Sequence, residues 1–357
     1  MTSLFDTSQL GDLRLPNRVV MAPMTRARAT PEGLATPAMA AYYAQRATAG
    51  LIVSEAVQPS RIGQANPGTP GLHTDEQVAS WRPVTAAVHT NGGRIFAQIM
   101  HGGRVSHPDT TGLQPVAPSA IPFSGAVYTP SGSLPVPMPR ALDTSEVPEH
   151  ARSYALAARR ALDAGFDGVE LHGANGYLIS QFLSSNANLR TDRYGGSVAN
   201  RIRFVVEAVT ATVEAVGGAR TGVRLSPGAT FYGVQESDTP QLYAALLAEL
   251  ARLPLAYVHL VATTDEELLL GLRRAWPGLL IMNPAVPMGA KQVGRGEAEH
   301  WLGLGADLIS FGRSFLANPD LVERLRTGLP IAPMNEAHYY EGGDQGYLTY
   351  PAFQHTA

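Results

Sequence analysis

His172, Asn175 and Tyr177 fall within six residues of one another, in the stretch Glu170-Leu171-His172-Gly173-Ala174-Asn175-Gly176-Tyr177. If the chain turns helically there, residues three apart share a face, and His172 and Asn175 can donate to one oxygen of a bound molecule. Two donors on a carbonyl oxygen polarise a conjugated alkene and stabilise the enolate that forms. Tyr177 points elsewhere on such a turn and can supply a proton from the far side as a general acid. His172 alone reads best as a hydrogen-bonded core histidine, and Tyr177 alone as a packed aromatic. Together, at the end of an apolar run, they read as a reactive site.

A second set has a different chemistry. Thr25, Gln98 and Arg224 offer a hydroxyl, an amide and a fixed cation, each at or near the end of a short apolar run. Because glutamine both donates and accepts, the set suits a flat heterocycle with alternating carbonyl and imide edges. Arg224 would stabilise negative charge building on such a ring. Gly312 and Arg313, at the start of a later helical stretch, make a phosphate site from backbone N–H groups and a guanidinium. A planar ring with a single phosphate tail is the ligand described, and FMN fits it.

These residues need a scaffold that gathers strand ends. Short β-rich apolar runs at 18–22, 51–54, 95–99, 168–171, 222–225, 257–260, 279–282 and 308–311 alternate with helical stretches such as 146–164, 200–215 and 239–252. That alternation predicts βα units, a parallel sheet and closure into a (β/α)8 TIM barrel of the α/β class. Barrel sites lie at the C-terminal strand ends, with the phosphate near strands seven and eight, where Gly312 and Arg313 stand. Residues 4–15 carry the turn signal Gly11-Asp12 and are expected to form an N-terminal hairpin plugging the barrel. Residues 101–142, rich in Pro, Gly, Ser and Thr, are too long for a plain βα loop and are expected to be a capping insertion after strand three. The whole chain, 1–357, reads as one domain.

Composition narrows the alternatives. The chain has no cysteine, a formal net charge of -3, 45% hydrophobic and 16% charged residues. Disulfides, thiolate metal sites, iron–sulfur clusters and cysteine nucleophiles are excluded. Nothing in the charge points to nucleic acid or an anionic membrane. No His-x-His pattern supports a metal hydrolase, and no Gly-x-Gly-x-x-Gly supports a doubly wound dehydrogenase. The single lysine, Lys291, is placed in the loop after strand seven, away from a Schiff-base position. With no apolar run near 18 residues and no signal segment, the expectation is a cytoplasmic monomer or homodimer acting on a small molecule, without a metal.

The motifs resemble those of the Old Yellow Enzyme family. The matching pieces are Met21-Ala22-Pro23-Met24-Thr25-Arg26, Glu170-Leu171-His172-Gly173-Ala174-Asn175-Gly176-Tyr177-Leu178, Thr191-Asp192-Arg193-Tyr194-Gly195-Gly196-Ser197, Phe311-Gly312-Arg313 with Asn318-Pro319-Asp320, and Gly346-Tyr347-Leu348-Thr349-Tyr350-Pro351. They run in family order from residue 21 to 351. The resemblance implies an FMN enzyme in which NAD(P)H reduces the flavin and leaves. An alkene activated by a carbonyl or nitro group then takes hydride. It implies Thr25 beside flavin O4 and N5, with Pro23 and Met24 in the cofactor-binding set, Ala56 and Gln98 on the pyrimidine edge and Arg224 on the N1/O2 side. It further implies Gly312 and Arg313 on the phosphate, His172 and Asn175 on the substrate's activating group, Tyr177 as proton donor, and Tyr340 lining the substrate pocket. Threonine at 25 places the chain nearer the threonine branch than the cysteine one. Asn175, where some members have histidine, cannot ionise, so anion binding should be less pH-sensitive.

Two departures stand out. Where many members have a glycine-rich phosphate turn, this chain has Asn283-Pro284-Ala285-Val286-Pro287, whose prolines have no N–H to give. Asn283 is the expected phosphate contact there. The stretch Phe182-Leu183-Ser184-Ser185-Asn186 lacks a proline often found at that place. Two other functions use the same residues. One is reduction of nitrate esters or nitroaromatics; the other is flavin binding without efficient turnover.

Overall fold

The computed structural model describes residues 2–284 and 292–353, so Ala285 to Pro287 of the expected phosphate turn, and Lys291, lie outside the described residues. An antiparallel hairpin, β1 (Ser8–Leu10) and β2 (Leu13–Leu15), opens the chain. Three strands follow, β3 (Val19–Met21), β4 (Leu51–Val57) and β5 (Ile95–Ile99). Then come four short ones, β6 (Val116–Ala117), β7 (Ala126–Thr129), β8 (Gly132–Pro135) and β9 (Arg140–Ala141). The last five are β10 (Gly168–Gly173), β11 (Thr221–Leu225), β12 (Tyr257–Val261), β13 (Leu280–Asn283) and β14 (Leu308–Phe311).

Strands β3, β4, β5, β10, β11, β12, β13 and β14 close in that order into a parallel barrel, as the alternation predicted. Each long crossover carries helix, among them Asp75–Thr90, Val147–Asp163, Thr239–Leu250 and Glu266–Ala275. The helix expected over 200–215 is two pieces, Val198–Arg201 and Arg203–Val216, broken at Ile202. No helix among the described residues is long and apolar enough to cross a membrane.

The barrel interior follows from the period of two in a strand. Near the N-terminal ends, Val20, Leu51, Val53, Phe96, Tyr257, Ile281 and Leu308 form one apolar cluster, and Leu10 and Leu15 of the hairpin complete it. The hairpin therefore plugs the bottom, as expected. Glycine makes room for the two rings: a Cβ at Gly168 would lie 2.4 Å from the Phe96 ring, and one at Gly222 would lie 2.3 Å from that of Tyr257. Two residues further along the same strands stand Gln98, His259, Asn283 and Ser310, joined by Glu170 and Arg224. An apolar floor thus carries a polar storey, and that storey faces the end where barrel sites form.

Residues 101–142 hold a parallel pair, β6 with β9, and a hairpin, β7 with β8. Val127 of that hairpin packs with Ala56, Ala65, Met100 and Val105, against which Tyr177 and Tyr232 also rest. The insertion thus reaches the strand ends.

Candidate active site

Two adjoining cavities open at the C-terminal strand ends. The first, of about 430 Å³, is lined by Pro23, Met24, Thr25, Asn175, Arg224, Asn283, Gly312, Arg313 and Tyr340, among others. The second, of about 350 Å³, shares Thr25 and Tyr340 with it and adds Asn66, Val127, Tyr128, Tyr177 and Tyr232. Tyr177 and Asn175 therefore look into different chambers that meet over Thr25. A larger hollow of about 610 Å³ lies beyond Arg313, between residues 292–295 and 324–336, and holds none of the other candidate residues.

The His172–Tyr177 segment is not helical, contrary to the expectation. Asn175 takes a left-handed backbone (φ +59°), Gly176 follows at φ +80°, and the helix Leu178–Leu183 begins only after Tyr177. The tight turn is held by the Asn175 N–H, which donates to Ser226 Oγ at 2.8 Å. A Cβ at Gly176 would sit 2.3 Å from the Phe231 carbonyl oxygen, so only glycine fits. A strained turn, rather than a helical face, sets where Asn175 and Tyr177 point. Such strain is tolerated where a site needs it.

His172 is buried, with its ring 5.1 Å from that of Tyr177. Burial, with the Arg224 cation next, pushes its pKa down to about 3, so the imidazole is neutral. Its Nδ1 accepts a long contact from the Ala174 N–H, 3.4 Å, which leaves Nε2–H as the donor. The Tyr177 phenol is pushed well above its ordinary value by burial and by Tyr232, with Asn66 opposing. It keeps its proton at neutral pH.

The cofactor-side residues are also fixed from below. Ala56 is buried on β4 just past a register shift between Val53 and Ala56. Gln98 Nε2 donates to Glu170 Oε1 at 2.8 Å. Arg224 Nη2 donates to Asn283 Oδ1 at 2.6 Å, and Asn283 Nδ2 donates to the Ser310 carbonyl at 3.0 Å. The Asn283 amide is thus engaged with Arg224 and the barrel wall rather than held out toward a phosphate. Gly312 and Arg313 open the short helix Arg313–Ala317 at the cavity edge.

Residues the sequence reading passed over complete the frame. Arg26, buried beside Thr25, donates through Nε to the Tyr339 carbonyl (3.1 Å) and through Nη2 to the carbonyls of His338 (3.3 Å) and Gly346 (3.0 Å). Arg28 reaches the carbonyls of His338 and Tyr339, each at 3.1 Å. Tyr347 stacks on Tyr42 with centroids 4.2 Å apart. This clasp lays residues 338–347 across the site and presents Tyr340, which is 59% exposed, to both chambers. Arg26 ends the Met21–Arg26 motif and Tyr347 lies in Gly346–Pro351, but no local pattern announces the contact of Arg26 with Tyr339 across 313 positions.

The residues fit a flavin. Arg224 Nε and Asn175 Oδ1 are buried polar atoms with no partner among the described residues, and both residues border the first chamber. Such atoms are costly unless a ligand meets them. An acceptor for Arg224, an imide edge for Gln98 and an anion at Gly312–Arg313 are what FMN carries.

Residues 3–332 match the NADH:flavin oxidoreductase / NADH oxidase family. A probable flavin mononucleotide-dependent alkene reductase from Leishmania infantum is 38% identical, over 96% of this chain and 95% of that protein. The old yellow enzyme homologue from Zymomonas mobilis is 40% identical and superposes with a TM-score of 0.93, over 98% of this chain and all (100%) of that one. Morphinone reductase in complex with tetrahydroNAD is 42% identical with the same TM-score, 0.93, over 99% of this chain and 98% of that one. Motifs, barrel, cavities and these likenesses agree, and the chain belongs to the NADH:flavin oxidoreductase / NADH oxidase family, whose Old Yellow Enzyme members its sequence resembles.

Proposed function

We propose that this chain is an FMN-dependent reductase that uses NAD(P)H to reduce the C=C bond of activated alkenes such as enones, enals, nitroalkenes and maleimides. The observation that carries the proposal is the meeting of two chambers over Thr25, one bordered by Asn175 and Arg224, the other by Tyr177. When bound, FMN would supply hydride-transfer chemistry, with NAD(P)H as the reductant and the β carbon of the alkene as the acceptor.

The chain's own groups do the rest. Pro23, Met24 and Thr25 would wall the ring, Ala56 and Gln98 would meet its pyrimidine edge, Arg224, held by Asn283, would serve the N1/O2 side, and Gly312 and Arg313 would hold the phosphate. Neutral His172, through Nε2–H, and the Asn175 amide donate to the substrate's carbonyl or nitro oxygen and steady the charge that builds there. Tyr177 delivers its proton to the α carbon on the other side. Tyr340 and the 101–142 segment, through Ala126, Val127 and Tyr128, cap the pocket and limit water. We take the protein to act on a small molecule as a cytoplasmic monomer or homodimer.

The test separates the half-reactions under anaerobic conditions. NADPH should bleach the bound flavin, and 2-cyclohexen-1-one should restore its colour. Tyr177→Phe should leave bleaching intact and slow recolouring by about 100-fold or more, the usual scale of a lost general acid. Equal loss in both halves would remove Tyr177 from the proton-donor role. Recolouring by a nitrate ester or nitroaromatic but not by the enone would favour the nitro-reductase reading. No bleaching by NADPH or NADH would leave a flavin-binding protein.

A further inference from the structure

The polar storey of the barrel contains an ionisable group that the proposed chemistry leaves unused. Glu170 is fully buried on β10, two residues before His172 and facing the same side of the strand. One carboxylate oxygen accepts from Gln98 Nε2 at 2.8 Å; the other lies 2.8 Å from His259 Nδ1. His259 Nε2 lies 2.8 Å from Ser310 Oγ. Each of these side chains is shielded from solvent, with Gln98 at 2% exposure and the other three at zero.

The protonation pattern follows from the surroundings. Burial alone would raise the Glu170 pKa, but His259, Arg224 and Gln98 outweigh it, and the net direction is down. Burial lowers that of His259 despite Glu170. Glu170 therefore carries the charge. His259 is neutral, donates Nδ1–H to it and accepts from the Ser310 hydroxyl. A buried carboxylate is tolerated only with such partners. Arg224 acts on it through space, and the two charges partly offset each other.

We propose that Glu170 is a positioning residue for the flavin, fixing the orientation of the Gln98 amide and balancing the charge of Arg224. The proposal rests on the FMN reading above. An amide has two orientations that differ by exchange of oxygen and nitrogen. A carboxylate can only accept, so Nε2 must turn toward Glu170, and Gln98 Oε1 is left free to accept from the imide N–H of the ring. Charge balance adds a second effect. With Glu170 present, Arg224 is partly offset, and the ring gains less from taking up electrons than it would beside a bare cation.

The experiment uses the purified protein stripped of FMN and titrated with FMN by fluorescence, and the FMN-loaded protein for its midpoint potential. Glu170→Gln keeps the size but lets residue 170 donate, so either Gln98 orientation is satisfied. It should bind FMN about tenfold more weakly, the scale of one charge-assisted hydrogen bond. Its bound flavin should shift positive by about 30 mV or more, a tenfold tilt for a two-electron couple. Glu170→Asp keeps the charge but shortens the reach to Gln98; affinity should fall while the potential stays near that of the wild type. That variant also serves should Glu170→Gln not fold. Added to Gln98→Met, Glu170→Gln should cost no further affinity. Wild-type affinity and potential in a folded Glu170→Gln would overturn the proposal, as would an equal potential shift in Glu170→Asp. If the wild type itself takes up no FMN, the flavin reading fails, and this inference with it.

Discussion

Glu55 offers a sharp test of how burial sets ionisation here. It lies on β4 beside Ala56, 1% exposed, accepting from the Arg26 N–H (3.3 Å) and the Tyr43 hydroxyl (3.3 Å). Burial raises its pKa to about 7, against the lowering pull of Arg26 and Tyr43. In the unfolded chain the same carboxyl titrates near 4.5. Between those values the folded protein holds a proton that the unfolded chain has released. The group's contribution is full below about pH 4.5, falls as pH rises, and is spent above about pH 7. A gap of about 2.5 units at 1.36 kcal/mol each is about 3 kcal/mol. Glu55→Gln cannot titrate and should lose none of it. Stability of the FMN-loaded wild type and variant is measured by urea unfolding from pH 4.5 to 8.5 at constant ionic strength. The difference between them cancels the other titrating groups. It should tilt toward the variant by about 3 kcal/mol across that window, with the steepest change between pH 5 and 7. A flat difference would mean that Glu55 ionises in the fold as readily as in water, and the burial argument would be wrong.

Other outcomes follow from the same geometry. Arg26→Ala should free residues 338–347, raising KM for an enone several-fold while FMN stays bound, as read by steady-state kinetics and flavin absorbance. Gly222→Ala should destabilise the barrel by about 1–3 kcal/mol in urea, because its Cβ would overlap the Tyr257 ring. Because His172 stays neutral down to about pH 3, phenolate-type anion binding to the FMN-loaded protein should show no imidazole titration between pH 5 and 8. A Kd that steps near pH 6.5 would contradict this. Asn283→Ala should weaken FMN binding through loss of the 2.6 Å support of Arg224, with Asn283→Asp retaining more affinity than Ala.

Alternation of buried strand and amphipathic helix was enough to read the eight barrel strands. The turn at Gly11-Asp12 was enough for the hairpin that plugs them, since both signals are local and repeat with the period of the element. Chemical type also marked which residues gather at the strand ends: Thr25, Asn175, Arg224, Gly312 and Arg313 do border one cavity. Tertiary structure decided what those residues rest on. The turn at 172–177 is left-handed at Asn175 because Ser226 and Phe231, fifty residues on, close around it. Asn283 meets Arg224 across 59 positions, Glu170 meets His259 across 89, and Arg26 meets Tyr339 across 313. A periodic pattern says which face of a strand is buried, but not which distant partner shares that face. Only closure of the barrel brings those faces into one small, dry volume, where each polar group must find a partner or leave one for a ligand.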